Sequence, residues 1–161
     1  VNGAKYAHYN AAMFFSQQTA ALQPDLFIIS LGTNETLDYP YIDQNFFQHV
    51  DKLITSLREN NPEVRFILVT PSDAFRKKTR VNPGIIKIRE QIIQYAAENG
   101  LAFWDMYRAL GGEGSATAWR KSGLLRADGI HYTKDGYEYQ GNLLYHALLK
   151  GYNSYVSHRH P

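Results

Sequence analysis

A nearly continuous apolar run, Leu26-Phe27-Ile28-Ile29-Ser30-Leu31, leads directly into the polar turn Gly32-Thr33-Asn34-Glu35, and this junction restricts the folds open to the chain. A strand that is apolar on both faces has to be covered on both. That is the situation of a parallel strand in an α/β sheet, whereas a solvent-facing antiparallel strand alternates apolar and polar residues. The turn after such a strand lies at its carboxyl end, where open α/β sheets place their ligands.

The remaining sequence repeats the pattern. Phe46, Phe47, Val50, Leu53, Ile54 and Leu57 recur at helical spacing before Asn60-Asn61-Pro62, and Phe66-Ile67-Leu68-Val69-Thr70 reads as a second strand. A polar loop through Arg80 is expected next. Ile85, Ile86, Ile88, Ile92, Ile93 and Ala96 then mark a helix stopped by Asn99-Gly100, and Leu101-Ala102-Phe103-Trp104 reads as a third strand. Residues 4–22, rich in alanine and glutamine, predict one helix ending before Pro24. Residues 111–123 read as an irregular glycine-rich segment with a short helix around Trp119, and a final helix opens at Thr133, a good N-cap. Right-handed crossovers make the three strands parallel neighbours. The expectation is an α/β fold of three α/β/α layers.

Composition narrows the function. A chain of 161 residues fits one domain, and its 44% hydrophobic content is that of a folded one. A formal charge of +2 calls for neither nucleic acid nor an anionic membrane. With no cysteine, disulfides, CxxC redox centres and thiolate zinc sites are excluded. No apolar run approaches the roughly 20 residues of a membrane-spanning helix. The chain opens on Val1 without Met or a signal peptide, which points to processing or truncation and a true start elsewhere.

Nearly a hundred residues after the asparagine turn stands Asp128-Gly129-Ile130-His131, just ahead of the final helix, and at the amino end stands Val1-Asn2-Gly3-Ala4. Each block alone also reads as an ordinary turn or cap. In this order on an α/β framework, they resemble three of the four blocks of the SGNH hydrolases, also called GDSL-type esterases and lipases. The similarity is greatest to bacterial peptidoglycan and carbohydrate O-acetylesterases. The resemblance covers essentially the whole chain, with two departures. Glu35 stands where Asp is commoner, and the block with the nucleophilic Ser is absent. It implies a flavodoxin-like sheet, here incomplete on its N-terminal side, with residues 1–161 as the C-terminal portion of one such domain.

What the resemblance implies chemically is a serine esterase site without its serine. His131 is the expected general base, Asp128 the group that holds its tautomer and stabilises its cation, and Asn34 and Gly3 the oxyanion donors. No metal or other cofactor is implied. The implied substrate is an acylated small molecule or glycan, and the implied setting is the periplasm, cell envelope or exterior. A non-catalytic glycan-binding or scaffold remnant of the same fold stays open. A flavodoxin-like ligand binder is a weaker alternative, because it predicts a Gly-rich phosphate loop that the sequence lacks.

No serine in the chain reads as a substitute nucleophile. Ser30 falls inside a strand and is expected to pack or bond there, Ser72 lacks a strand-to-helix elbow, and Ser115 and Ser122 read as turn and helix-end residues. Three strands alone would leave an apolar edge, so a companion N-terminal segment, a second chain or a dimer partner is expected to cover it. The basic run Arg76-Lys77-Lys78-Thr79-Arg80 reads as a solvated loop at the rim of the site, with contact to an anionic or glycan substrate the lesser reading. Trp104 and Trp119 both have the chemistry to stack on a sugar ring, with core the stronger reading for Trp104 in its strand. His8, His49 and His146 lack ligand spacing, and His158-Arg159-His160 reads as a tail.

Overall fold

The computed structural model describes residues 3–159; Val1 and Asn2 of the glycine block and His160 of the terminal H-x-H lie outside the described residues. Three parallel strands form the sheet: β1 (Leu26–Ser30), β2 (Arg65–Val69) and, numbered in chain order, β5 (Ala102–Trp104). β2 is central, with Ile28 beside Ile67 and Ile67 beside Ala102. Alternation along the strands sends Phe27, Ile29, Phe66 and Leu68 to one face. There they join Val50, Leu53, Ile54 and Leu57 of α3 (Phe46–Asn60) and Ile88, Ile92, Tyr95 and Ala96 of α4 (Gly84–Glu98) in the main core.

The caps explain where these helices stop. After α4, Gly100 takes φ +62°, Leu101 N–H donates to Ala96 C=O at 2.8 Å and Gly100 N–H to Ala97 C=O at 3.5 Å. This pair of bonds satisfies carbonyls the helix would otherwise leave open and turns the chain into β5. α3 ends on Asn61, whose N–H donates to Leu57 C=O at 3.1 Å, and Pro62 cannot extend it.

The opposite face carries a second core in which Val69 packs with Phe75, Met106, Leu110, Ala116, Leu125 and Tyr132. Apart from Phe75, these come from α5 (Met106–Ala109) and its C-cap, α6 (Ser115–Lys121) and the segments that lead into α7 (Lys134–Arg159). α7 leans on the sheet through Leu143, and Gly136 N–H donates to Thr133 Oγ1 at 3.2 Å, the cap that the sequence indicates. The helices thus lie on both faces of a parallel sheet, in three layers.

Three expectations need correction. Residues 4–22 form two helices, α1 (Tyr6–Ala11) and α2 (Phe15–Ala20), because an extended Ala12 lets the Phe15 ring fold back to 4.8 Å from Tyr9. The loop through Arg80 contains an antiparallel hairpin, β3 (Phe75–Arg76) and β4 (Arg80–Val81). Ser30 is exposed on β1 rather than packed in the sheet. Trp119 packs half-buried against the second core: its indole N–H donates to Leu110 C=O at 2.9 Å, and its ring meets Tyr132 and Tyr139 edge-on.

The sheet is not covered evenly. Leu26 is 41% and Ile28 44% exposed on the face opposite α3 and α4. An open groove of about 530 Å³ separates Ile67, Ala102 and Trp104 from Leu144, Leu148 and Tyr152 of α7. Among the described residues no helix is long and apolar enough to cross a membrane.

Candidate active site

The Asp128–His131 turn is held by a miniature hairpin. Leu125 and Tyr132 pair antiparallel, Arg126 N–H donates to His131 C=O at 2.8 Å, and Gly129 N–H donates to Arg126 C=O at 3.0 Å. Gly129 takes φ +74°, and a Cβ there would come within 2.7 Å of the Phe75 ring, so both backbone and space demand glycine. Asp128 Oδ1 accepts the N–H groups of Ile130 at 2.8 Å and His131 at 2.9 Å, which leaves Oδ2 to face His131 Nδ1 at 3.0 Å. Partial burial works against its ionisation. The backbone donors and the imidazole outweigh that and hold the Asp128 carboxyl below its ordinary range. With Nδ1 facing the carboxylate, Nε2 is the nitrogen left to exchange protons with a ligand.

The asparagine turn is a single 3₁₀ turn, Asn34–Thr36, directly after β1. Gly32 precedes it at φ +124°, where a Cβ would meet Ile88 at 2.9 Å. Asn34 Nδ2 donates to Ala4 C=O at 2.9 Å, which joins the glycine block to the asparagine block. A primary amide has two N–H bonds, so this contact fixes the side chain and leaves one donor for a ligand. Gly3, one residue away, is exposed at φ +75° with open space where a Cβ would stand, so backbone conformation alone favours glycine there.

Glu35 has a role the sequence did not signal. Only 7% exposed, it accepts Tyr6 N–H on Oε1 at 2.9 Å and pins the start of α1 against the turn. Burial pushes its carboxyl above the ordinary range, against backbone hydrogen bonds that pull it down.

No hydrogen bond joins Asn34 to His131 among the described residues; the β3–β4 hairpin connects their turns. On one side Asn82, just after β4, donates to Thr36 Oγ1 at 2.7 Å, and Arg76 Nη1 donates to Tyr39 C=O at 2.9 Å. On the other, Phe75 N–H donates to Gly129 C=O at 2.8 Å. Below, Arg89 grips Asp105 at 2.8 and 2.6 Å, and Thr70 adds a third donor at 3.2 Å. This clamp ties α4 to the carboxyl ends of β2 and β5, and its Arg89 bonds hold the Asp105 carboxyl below the ordinary range.

Ser72 is 5% exposed, with its side chain hydrogen-bonded to the Tyr132 hydroxyl. Ser115 opens α6 and Ser122 caps its end, as expected. His49 pairs with Asp43 at 3.1 Å, and Lys5 N–H donates to His8 Nδ1 at 3.2 Å.

Comparison with known proteins follows the same lines. The model of the GDSL-like lipase/acylhydrolase family matches residues 1–139, while no curated protein is similar to the chain in sequence. Among solved structures, a peptidoglycan O-acetylesterase superposes with TM-score 0.87 at 20% identity, over 95% of this chain and 45% of that one. A lipase/acylhydrolase from Enterococcus faecalis gives TM-score 0.65 at 24% identity, over 88% and 69%. A carbohydrate esterase family 3 protein from Talaromyces cellulolyticus gives 0.70 at 16%, over 92% and 68%. The chain therefore spans less than half the length of the peptidoglycan O-acetylesterase, and at these identities the structures share its three-layer α/β/α fold. With the family's fold, and with a match to its model over most of its length, the chain belongs to the GDSL-like lipase/acylhydrolase family.

Proposed function

We propose that this chain is the C-terminal portion of an SGNH-type serine esterase domain that removes O-acetyl or other short acyl groups from carbohydrate or peptidoglycan, with the nucleophilic Ser outside residues 1–161. The observation that carries the reading is Asp128 Oδ2 at 3.0 Å from His131 Nδ1, with Asp128 already fixed by two backbone donors. The family supports acyl hydrolysis, and the glycan substrate is drawn from the O-acetylesterase and carbohydrate esterase among the similar structures.

In this mechanism neutral His131 takes the serine proton on Nε2 as the serine oxygen attacks the ester carbonyl. Asp128 stabilises the imidazolium without itself taking the proton. The carbonyl oxygen becomes an oxyanion and accepts the free Asn34 N–H and the Gly3 backbone N–H, each worth about 3 to 4 kcal/mol by deletion. Collapse releases the sugar alcohol, which receives the proton from His131. Water then repeats the sequence on the acyl-serine and releases the carboxylic acid.

An upstream segment, a companion chain or a dimer partner that supplies the Ser would also cover the open side of β1, where Leu26 and Ile28 are exposed. Residence in the envelope or outside the cell belongs to the same proposal. The test is hydrolysis of p-nitrophenyl acetate and acetylated xylo-oligosaccharides by the native polypeptide. Turnover should fall by about 10³-fold or more in His131→Ala with the fold intact. Absence of turnover with retained glycan binding would favour the binding remnant. That reading draws on Ser72, the serine after β2, being buried and hydrogen-bonded to the Tyr132 hydroxyl.

A further inference from the structure

We propose that the β3–β4 hairpin and the Asp128–His131 turn form a cationic wall that makes the site selective for acidic sugar chains, those with carboxylates on residues flanking the acylated one. This rests on the esterase reading and names its substrate class.

The hairpin is built as part of the site. It is bonded to the catalytic turn through Phe75 N–H to Gly129 C=O at 2.8 Å. Arg120 locks it from above, with its guanidinium 4.3 Å over the Phe75 ring and Nη1 donating to Lys78 C=O at 2.9 Å. Lys77 and Lys78 are exposed at the tip, Arg80 follows on β4, and Arg126 is exposed on the catalytic turn itself. None of Lys77, Lys78, Arg80, Arg120 and Arg126 enters an ion pair among the described residues. The nearby carboxylates are otherwise engaged: Asp128 holds His131, and Asp73 is buried and accepts Ala116 N–H at 3.0 Å. Glu113 remains on the neighbouring loop, too little to neutralise the group.

Backbone conformation adds a second observation. Lys77 takes φ 49° and Lys78 φ 69°, the left-handed region in which Gly or Asn sits with least strain. Two lysines hold a turn that glycine would form more easily, as expected where the side chains themselves are used.

The cleft beside the asparagine turn has a different charge balance. It is lined by Glu35, Asp38 and Asp43 together with Lys5 and His49. Lys5 stands 3.3 Å from Asp38 and His49 3.1 Å from Asp43. A dense polyanion such as nucleic acid would find no continuous positive surface there. A glycan with at most one carboxylate per sugar can set its acids against the hairpin and a neutral portion against this mixed-charge cleft.

The experiment uses the native polypeptide and a Lys77→Gln/Lys78→Gln/Arg80→Gln variant whose melting curve confirms folding. One arm titrates unacetylated oligogalacturonate, malto-oligosaccharide and a single-stranded oligonucleotide by calorimetry. The other compares KM on acetylated oligogalacturonate and acetylated xylo-oligosaccharide. The proposal predicts tighter binding of oligogalacturonate than of the other two, lost at about 0.5 M salt. It also predicts a KM ratio favouring the acidic substrate that falls about five- to tenfold toward unity in the variant. Equal binding of acidic and neutral oligosaccharides, tighter binding of the oligonucleotide, or a KM ratio unchanged in the variant would overturn it. Because calorimetry needs no turnover, an inactive esterase would sink the catalytic reading while the binding arm still decides the wall.

Discussion

Ile28 and Ile29 are neighbours on the same strand with nearly the same chemistry, yet Ile29 is 8% exposed against α3 and α4 while Ile28 is 44% exposed on the other face. The sealed face is continuous, with Leu68, Ile88 and Ile92 all at 0%. The other face is sealed only beneath the Asp128–His131 turn, where Phe75, Leu125 and Tyr132 pack with Val69. It opens along β1 and beneath the distal half of α7, where Tyr145 is 59% and Tyr152 64% exposed. A strand apolar on both sides is composed for two covers, and the described residues provide one and a half. The part of the second face that is finished is the part that supports Asp128 and His131.

Mutations can sharpen or break this contrast. The largest effect is expected at Leu68→Ala, about 2 to 5 kcal/mol of unfolding free energy lost, against under about 1 kcal/mol for Ile28→Ala in the 161-residue chain. Urea unfolding of both checks it, and equal losses would mean the two faces are equally covered. In a longer polypeptide that covers β1, the cost of Ile28→Ala should rise toward that of a core site.

Asp105→Asn probes the clamp where the strands end and should remove about 1 to 3 kcal/mol, since charged hydrogen bonds to Arg89 are lost. Arg89 holds the folded Asp105 pKa below 3.8, so the clamp's stabilisation is complete above that pH and disappears as acid protonates the carboxyl. The variant should therefore lose less stability than the parent on acidification below pH 3.8, in melts across that range.

Gly129→Ala tests the finished part of the second face. Forcing a Cβ toward Phe75 at positive φ should cost about 1 to 3 kcal/mol and displace Asp128 from His131, read out by the melting temperature and the loss of any esterase turnover.

The smallest effect is expected at Glu35→Gln. Burial raises the Glu35 pKa above 4.5, so this group's contribution to stability is present below that value and declines as pH rises through the raised one. Gln keeps an acceptor for Tyr6 N–H without the charge. A gain under about 1 kcal/mol at neutral pH, with little change at pH 4, is expected from unfolding curves.

The sequence made the strands, α3, α4 and their stop signals legible because hydrophobic period and Asn-Gly or Asn-Pro punctuation act locally. The turns that carry Asn34, Asp128 and His131 could be placed for a similar reason: each follows a recognisable run or precedes a recognisable helix. What stayed hidden depends on distant partners. Residues 4–22 have helical composition throughout, and only the Tyr9–Phe15 contact shows why the chain breaks between them. Lys77-Lys78 carries none of the usual turn chemistry, and the hairpin is imposed by Gly129, Asn82 and Arg120. Trp119 has the composition of a sugar platform, but that its indole is tied to Leu110 C=O could not be read from sequence. Glu35 departed from the commoner Asp, and its longer side chain reaches the first turn of α1.

The most direct test of the central claim, that Asp128 and His131 serve a serine outside these 161 residues, is intact-mass spectrometry of the native polypeptide before and after a fluorophosphonate. The account predicts a single adduct on a serine outside residues 1–161, abolished by His131→Ala. An adduct on Ser30 or Ser72, or labelling indifferent to His131, would contradict it.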